Sequence, residues 1–332
     1  MLYLHGLGHF HPENVISNRF LSELDIGSNE EWIMERVGIA ARRTSLSLDY
    51  IKTTKNKDPR EAREAAEHSR AHGAGAAARM ALYRAGLTPD AIGMVISGTS
   101  TPAYTIPAEA AVFAAELGIE APCFDLNAAC STFGVQLGFL SSMKPSATPD
   151  FILLINAENY THAVDYSDRR VAPLFGDGTS AAVVSRRVPA DKCFLSCGYD
   201  SSPEGWDRVQ IPLCGHFYQD GSYVQRFAIR RATDALRKLQ AEYPVNGGRF
   251  KFVGHQANLM MLSHVCERCA IPEAGHWHDI VHFGNTGCAG APTVLSQRWD
   301  QLSAGDHIAM VVVGSGLTWA HAMLRVDGSG ES

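Results

Sequence analysis

The amino-acid sequence predicts a mixed α/β fold that consists of two similar halves related by a pseudo-twofold axis. Residues 85–102, AGLTPDAIGMVISGTSTP, have the pattern of a helix end, a turn and a buried strand, and residues 245–258, VNGGRFKFVGHQAN, repeat that layout. Residues 175–187 and 311–325 also correspond, because each combines a Gly-rich turn with a strand of small and β-branched residues. An internal repeat of this size indicates two related α/β units that pack against each other.

The boundary between the halves is expected near residues 188–205, a stretch that contains Pro189 and Pro203. We therefore divide the chain into an N-terminal half, residues 1–190, and a C-terminal half, residues 191–332. A chain of 332 residues is long enough to bury the large core that two such units need.

The composition is that of an ordinary globular enzyme, with 45% hydrophobic and 19% charged residues. A net charge of −6 without a basic stripe argues against a nucleic-acid partner. No apolar run reaches the roughly 18–20 residues that span a bilayer, which argues against a membrane partner. The start, MLYLHGLGHFHPENVIS, lacks the basic region of a signal peptide and is predicted to form a strand. Together with eight scattered cysteines, this favours the reducing cytoplasm.

Helices are predicted for six segments: residues 60–85, 107–117, 131–143, 225–243, 260–270 and 289–299. The charged stretch 49–70 is interpreted as a solvated surface segment that leads into a helix beginning near Pro59, and a lid or a partner contact is the alternative. The tail, residues 327–332, is expected to be disordered.

Cys130 is the first candidate for chemistry. It lies in the segment FDLNAACSTFGVQLGFL, residues 124–140, between a short apolar strand and a helix. Free backbone N–H groups and the helix dipole at such a junction stabilise a thiolate, so we expect the pKa of Cys130 to be lowered. The alternative is a buried structural cysteine.

Two later segments favour the catalytic interpretation of Cys130. In FKFVGHQAN, residues 250–258, His255 follows a strand, and in VHFGNTGCAGAP, residues 281–292, Asn285 lies in a Gly-rich turn before a helix. Each is weak evidence alone, because a single His or Asn after a strand is more often structural. A cysteine, a histidine and an asparagine that each lie at a strand-to-helix corner suit acyl-thioester chemistry. By contrast, Cys266 and Cys269 have CxxC spacing but no second ligand pair, so no metal site is expected.

Five segments together carry a family resemblance. DLNAACSTFG, LFGDGTSAAVVS, VGHQANLMML, FGNTGCAGAP and VGSGLTWAHAMLR resemble, in order and spacing, the motifs of β-ketoacyl-acyl-carrier-protein synthase III enzymes of the thiolase superfamily. The resemblance runs from the N-terminus to about residue 326. It implies a thiolase-like fold of five layers, α-β-α-β-α, with the active site where the halves meet.

The resemblance also implies a two-step reaction. Cys130 attacks an acyl thioester while the backbone N–H groups of Cys130 and Ser315 hold the oxyanion. The family usually has glycine in place of Ser315, so donation there requires a turn that tolerates a Cβ atom. A malonyl-type thioester then loses CO₂, and His255 and Asn285 donate hydrogen bonds to the resulting enolate. No cofactor is expected beyond the coenzyme A thioester that serves as substrate.

Four residues match family positions that bind coenzyme A. Trp32 and Arg36 correspond to the adenine-stacking tryptophan and its companion arginine. Arg169 corresponds to a position near the coenzyme phosphates, and Asn258 to one that binds the pantetheine arm.

The remaining departures from the family concern the protein partner and the starter, which is the acyl group loaded first. Met260 replaces an arginine that binds the acidic acyl carrier protein in this family, so the basic docking surface is expected to be weakened. Ile106 and Gln225 replace bulky aromatic residues of the acyl pocket, which indicates a starter other than acetyl. The residue at position 106 acts across the dimer in this family, so the resemblance implies a homodimer.

Three alternatives follow from the same residues. The leading one is decarboxylative condensation, in fatty-acid initiation or in specialised metabolism. The second is acyl transfer to an oxygen, nitrogen or sulfur nucleophile, or condensation without decarboxylation, on the same fold. The third is a non-catalytic subunit, which the intact Cys130, His255 and Asn285 count against.

Overall fold

The computed structural model describes residues 1–245 and 249–328. These residues form thirteen strands: β1 Leu2–Phe10, β2 Asn14–Ser17, β3 Ala41–Thr44, β4 Ile92–Gly98, β5 Cys123–Asp125, β6 Phe151–Asn159, β7 Asp177–Ser185, β8 Lys192–Ser201, β9 Val209–Gln210, β10 Tyr218–Gln219, β11 Phe250–Gly254, β12 His307–Gly314 and β13 Thr318–Val326. The same part of the chain forms ten α-helices: α1 Asn18–Glu23, α2 Glu30–Val37, α3 Leu48–Thr54, α4 Arg70–Ala85, α5 Glu109–Leu117, α6 Thr132–Ser142, α7 Gly221–Glu242, α8 Leu259–Arg268, α9 Ile280–Phe283 and α10 Gly290–Gln297.

Nine strands form one hydrogen-bonded sheet in the order β11-β12-β13-β8-β1-β7-β6-β4-β5. The sheet consists of two blocks that meet where β1 pairs with β8 through Leu2 with Phe194 and Tyr3 with Cys193. In the first block β5, β4 and β6 are parallel, and β7 and β1 follow antiparallel. In the second block β11 and β12 are parallel, and β13 and β8 follow antiparallel. The second block therefore repeats the order of β4, β6, β7 and β1 in the first block, as the internal repeat predicts, and β5 is an additional edge strand of the first block.

The helices lie in three layers around these two blocks, which gives the five layers of a thiolase-like fold. Helices α6 and α10 pack between the blocks, where their apolar residues share a core with strands of both halves. Helices α4 and α5 cover the outer face of the first block. Helices α7 and α8 cover the outer face of the second block. Burial of one apolar face by each layer explains why the two halves need each other.

Small residues let the central helix α6 approach the second block closely. A Cβ atom at Gly134 would lie 2.6 Å from the Cβ of Ala320 and 3.1 Å from a methyl of Val312, too close for a larger side chain. At the helix entrance, a Cβ atom at Gly314 would lie 2.9 Å from the backbone nitrogen of Cys130. The two halves are thus in van der Waals contact beside Cys130.

Most predicted elements are confirmed. The first segment forms strand β1, and four of the six predicted helices agree with the structure to within two residues at each end. Helix α7 begins at Gly221, four residues before the predicted start, because the Asp220 side chain caps it by accepting a hydrogen bond from the N–H of Tyr223 at 3.2 Å.

The prediction of a helix over residues 60–85 is wrong in its first turns. Helix α4 begins at Arg70, where Ser69 accepts a hydrogen bond from the N–H of His72 at 3.2 Å. The stretch 49–70 also does not behave as a purely solvated segment, because Asn56 is fully buried and donates hydrogen bonds to three backbone carbonyls of residues 161–164. The charged stretch is therefore anchored to the core.

Of the tail that was expected to be disordered, residues 329–332 lie outside the described part of the chain. Its first residue is fixed: Asp327 forms an ion pair of 2.6 Å with Arg325. Within residues 1–245 and 249–328, no helix combines the length and the apolarity that a membrane crossing requires. We propose the division between the halves at 190/191, in the loop between β7 and β8.

Candidate active site

A cavity of about 400 Å³ opens where the two halves meet, and Cys130, His255 and Asn285 all line it. Cys130 immediately precedes the N-cap of α6, His255 follows β11, and Asn285 follows α9. The cavity thus brings together three side chains that are up to 155 residues apart in the sequence. Ser315 and Asn258 line the same cavity.

The thiol of Cys130 has a different electrostatic environment from the one expected. Burial raises its pKa to about 12, a nearby hydrogen bond from Tyr160 lowers it, and the charge of Glu158 raises it. The expectation of a lowered pKa for Cys130 is therefore wrong. Desolvation of the thiolate outweighs the helix terminus. Ala129, just before Cys130, has a φ of +49°, so the backbone turns sharply at the nucleophile position.

His255 is buried, and burial lowers its pKa to about 4. The imidazole is therefore neutral near pH 7 and carries one N–H. Its Nδ1 has no hydrogen-bond partner within residues 1–245 and 249–328. A neutral imidazole is the form that donates a directional hydrogen bond without adding a charge.

Asn285 is held by hydrogen bonds of its backbone N–H, its backbone carbonyl and its side chain. Its N–H donates to the carbonyl of Leu174 at 2.8 Å, and its carbonyl accepts from the N–H of Gly176 at 3.1 Å. Its side-chain Oδ1 accepts from the N–H of Gly287 at 2.9 Å. The amide nitrogen is therefore the part of this side chain that remains to donate.

The turn at Ser315 accommodates its side chain. Ser315 is not among the residues with positive φ, whereas the next residue, Gly316, takes a φ of +122°. The Ser315 hydroxyl donates to the carbonyl of Val209 at 2.5 Å. The Cβ atom therefore fits, which was the condition for a backbone N–H donor at this position.

The predicted coenzyme A residues form one cluster beside the cavity. The guanidinium carbon of Arg169 lies 5.2 Å from the centre of the Trp32 ring, and that of Arg36 lies 5.9 Å from it. Asn258 donates to the carbonyl of Arg36 at 3.4 Å and caps α8. Asn258 lines the cavity, whereas Trp32, Arg36 and Arg169 do not, so the cluster lies outside the chamber that holds Cys130.

The two predicted acyl-pocket residues lie apart from each other. Gln225 is exposed on α7 and lines the cavity. Ile106 is 83% exposed and does not line the cavity of its own chain.

Sequence reasoning missed an aromatic wall of the cavity. Tyr160 and Phe175 stack with ring centres 4.8 Å apart, and Phe217 packs against Phe175 at 4.4 Å. The Tyr160 hydroxyl lies 3.6 Å from the sulfur of Cys130. The available signal was strand order. Strands β5 and β6 are both parallel neighbours of β4, so their carboxyl ends lie at the same edge of the sheet. Cys130 follows β5 and Tyr160 follows β6.

Within residues 1–245 and 249–328, no group of three or more His, Cys, Asp or Glu side chains has the arrangement of a metal site. Cys266 and Cys269 are buried in the core around α8.

The five-layered fold, with a cysteine, a histidine and an asparagine around one cavity between the halves, defines a class: thiolase-like condensing enzymes. The sequence models of 3-oxoacyl-[acyl-carrier-protein] synthase III match residues 124–202, and those of its C-terminal part match residues 251–326. The chain belongs to the β-ketoacyl-[acyl-carrier-protein] synthase III family, and it is a condensing enzyme of the acyltransferase type.

Individual relatives support this assignment over the whole length. The chain is 30% identical to the β-ketoacyl-[acyl-carrier-protein] synthase III of Chlamydia caviae, over 96% of this chain and 95% of the relative. The crystal structure of 3-oxoacyl-[acyl-carrier-protein] synthase III from Aquifex aeolicus superposes with a TM-score of 0.86 at 29% identity, covering 98% of this chain and 100% of that chain. A priming β-ketosynthase from the R1128 polyketide biosynthetic pathway superposes with a TM-score of 0.83 at 28% identity, covering 98% and 97%.

Proposed function

We propose that this enzyme loads an acyl group from coenzyme A onto Cys130 and then condenses it with a malonyl-type thioester, with release of CO₂. The observation that carries the proposal is the shared cavity: Cys130 lines it together with two neutral side chains, His255 and Asn285, which can both donate hydrogen bonds. An enolate needs such neutral, directional donors.

In the loading step the sulfur of Cys130 attacks the thioester carbonyl. The carbonyl oxygen becomes an oxyanion, which the backbone N–H groups of Cys130 and Ser315 stabilise. Two observations support this assignment. A Cβ atom at Gly314 would lie 2.9 Å from the nitrogen of Cys130, so the turn before Ser315 lies close to Cys130, and the Ser315 hydroxyl donates a hydrogen bond to the carbonyl of Val209. Coenzyme A then leaves as its thiol.

In the condensation step the malonyl-type thioester loses CO₂ and becomes an enolate, whose carbon attacks the acyl group on Cys130. His255 and Asn285 donate hydrogen bonds to the enolate oxygen. Two preorganised donors lower this barrier, and removal of one donor of this kind typically costs a factor of about 10²–10³ in rate.

Trp32, Arg36 and Arg169 are proposed to hold the adenine and phosphates of coenzyme A, with Asn258 on the pantetheine arm. The cation–π cluster outside the chamber and the position of Asn258 in the cavity wall support a path from the surface to Cys130. The reaction transfers an acyl group and releases CO₂ without electron transfer, so we propose no cofactor and no metal.

An acyl carrier protein is proposed as the bearer of the malonyl group. Its docking surface on α8 is weakened, because Met260 and Glu267 stand where basic residues would attract an acidic partner. Arg226, Arg230 and Arg231 on α7 supply positive charge instead.

We also propose that the enzyme is a homodimer that works in the cytoplasm. Strand β5 is the edge of the nine-stranded sheet, and Tyr104, Ile106 and Phe124 near it are exposed, so a second copy would cover an open strand edge and bring Ile106 to the partner's cavity. All eight cysteines are free thiols, as in a reducing compartment.

A carboxyl-labelled malonyl thioester, mixed with candidate acyl-CoA donors, tests the function. We expect labelled CO₂ and a covalent mass increase on Cys130, and neither with Cys130→Ala. Cys214→Ala, which removes an exposed cysteine outside the cavity, should behave as the wild type. Loading of Cys130 without any CO₂ release would instead support acyl transfer to another nucleophile.

A further inference from the structure

The phenol of Tyr160 is directed at the sulfur of Cys130. Its oxygen lies 3.6 Å from Sγ, within hydrogen-bonding distance for sulfur. The side chain is only 2% exposed, and its ring is stacked on Phe175, so the hydroxyl has a fixed position. A Cβ atom at Gly287 would lie 2.3 Å from the ring, which shows how closely the neighbouring turn confines it.

Among the residues that the structure describes, the other groups around the thiol do not offer it a compensating positive charge. The buried carboxyl of Glu158 accepts hydrogen bonds from the N–H of Ser100 at 2.9 Å and from the thiol of Cys288 at 3.0 Å. Its charge opposes a thiolate at Cys130. The ionisable side chains that line the cavity or neighbour the thiol are Tyr160, Glu158, Cys288, His255 and Arg170.

Arg170 lines the cavity, but its guanidinium is paired with Asp168 at 2.8 Å and is 80% exposed. His255 is neutral because burial lowers its pKa to about 4. Of the side chains around the thiol, Tyr160 is therefore the one placed to stabilise negative charge on the sulfur, because a phenol O–H donates strongly to an anion.

We propose that Tyr160 is a catalytic residue whose O–H donates a hydrogen bond to the sulfur of Cys130 whenever that sulfur carries negative charge. The inference rests on the proposed function and adds a residue that its motifs do not contain. Tyr160 keeps its own proton throughout. Tyr160 stabilises the thiolate more than it stabilises the thioester, because a thiolate accepts hydrogen bonds far better than a thioester sulfur does.

The donor acts in both half-reactions. In loading, Cys130 loses its proton, the bond from its sulfur to the acyl carbon forms, and the bond from that carbon to the coenzyme A sulfur breaks. The released proton finally resides on the coenzyme A thiol. In condensation, the enolate carbon bonds to the acyl carbon, the bond from that carbon to Cys130 breaks, and the expelled thiolate takes up one proton from solvent. Tyr160 stabilises the sulfur as nucleophile and as leaving group.

Tyr160→Phe separates this role from packing, because it keeps the ring that stacks on Phe175 and removes only the hydroxyl. We would measure iodoacetamide alkylation of Cys130 by quantitative peptide mass spectrometry, from about pH 7 to about pH 9. The variant is expected to alkylate Cys130 about tenfold to a hundredfold more slowly at each pH, the range for one lost hydrogen bond to a charged group.

Tyr166→Phe is the matched control. Tyr166 is also fully buried, belongs to the same core and does not line the cavity, so its variant should leave alkylation of Cys130 unchanged. An unchanged rate profile in Tyr160→Phe, with an unchanged melting temperature, overturns the inference. Because alkylation needs neither an acyl donor nor a malonyl thioester, this outcome is distinguishable from a failure of the proposed function, which would appear only in acyl loading and CO₂ release.

Discussion

The side-chain oxygen of Asn285 accepts a hydrogen bond from the backbone N–H of Gly287 at 2.9 Å, and this contact determines which end of the amide is free. Gly287 has a φ of +57°, and a Cβ atom there would collide with the Tyr160 ring. Glycine is therefore required at position 287, and the backbone conformation there orients the carboxamide of Asn285. The amide nitrogen remains to act on a substrate in the cavity.

Asn285→Ala is expected to reduce CO₂ release from the malonyl thioester by about 10²–10³-fold, because one enolate donor is lost. Acyl loading of Cys130, measured by intact mass, should remain close to the wild-type rate. Asn285→Asp is the matched control, since a carboxylate still accepts from Gly287 but has no N–H to donate. Full CO₂ release by the aspartate variant would contradict the assignment of Asn285 as an enolate donor.

Ser315 is expected to contribute its backbone and not its side chain. Ser315→Gly keeps the N–H and loses only the hydroxyl bond to Val209, so acyl loading should stay within about threefold of the wild type. Ser315→Pro removes the N–H and should slow loading by about 10²-fold or more. The measurement is the rate of mass increase on Cys130, with melting temperatures for both variants. Normal loading by a well-folded proline variant would exclude this oxyanion donor.

Trp32 is expected to bind the adenine of coenzyme A. Trp32→Ala should raise the KM for the acyl-CoA donor by about fivefold to tenfold and leave kcat nearly unchanged, because a stacking contact far from the reacting atoms acts equally on ground and transition states. The control is the same acyl group carried on pantetheine, which has no adenine. If the variant impairs both donors equally, Trp32 acts through packing of α2 instead.

The sequence predicted the positions of the chemical groups well because their patterns are local. Cys130, His255 and Asn285 each follow or precede a regular element, and the packing of the two related halves brings these positions to one cavity. The doubled strand order was likewise readable, since β7 and β13 have similar patterns of small and β-branched residues.

The properties that depend on distant parts of the chain could not be predicted in the same way. The pKa of Cys130 is set mainly by burial from both halves, and a single segment does not reveal that burial. Helix α4 starts at the Ser69 cap, and the segment before it is held by Asn56, whose carbonyl partners lie about 105 residues further along the chain. Tyr160 was missed because its role depends on a contact with Cys130 that no local motif encodes.

His11 should make folding stability depend on pH. Burial lowers its pKa to about 3, while its ring stacks on Phe283 with centres 3.9 Å apart. Below about pH 6.5 the unfolded chain protonates this histidine and the native chain does not, so the free energy of unfolding falls as pH falls towards 3. Between pH 7 and pH 5 this histidine alone should cost about 2 kcal/mol.

The comparison of wild type with His11→Phe isolates this contribution, because other buried groups also change protonation in this pH range. Burial lowers the pKa of His162 to about 3 and that of His255 to about 4, so these two act in the same direction as His11, while a buried aspartate acts in the opposite one. Burial raises the pKa of Asp279 to about 7, so the native state binds a proton there that the unfolded state releases, and this group gains stability as pH falls. Such contributions are common to both proteins and cancel in the difference. Urea unfolding at pH 7 and pH 5 should show a smaller loss of stability in His11→Phe, by about 2 kcal/mol. Equal losses in the two proteins would show that His11 is protonated in the native state or is not buried.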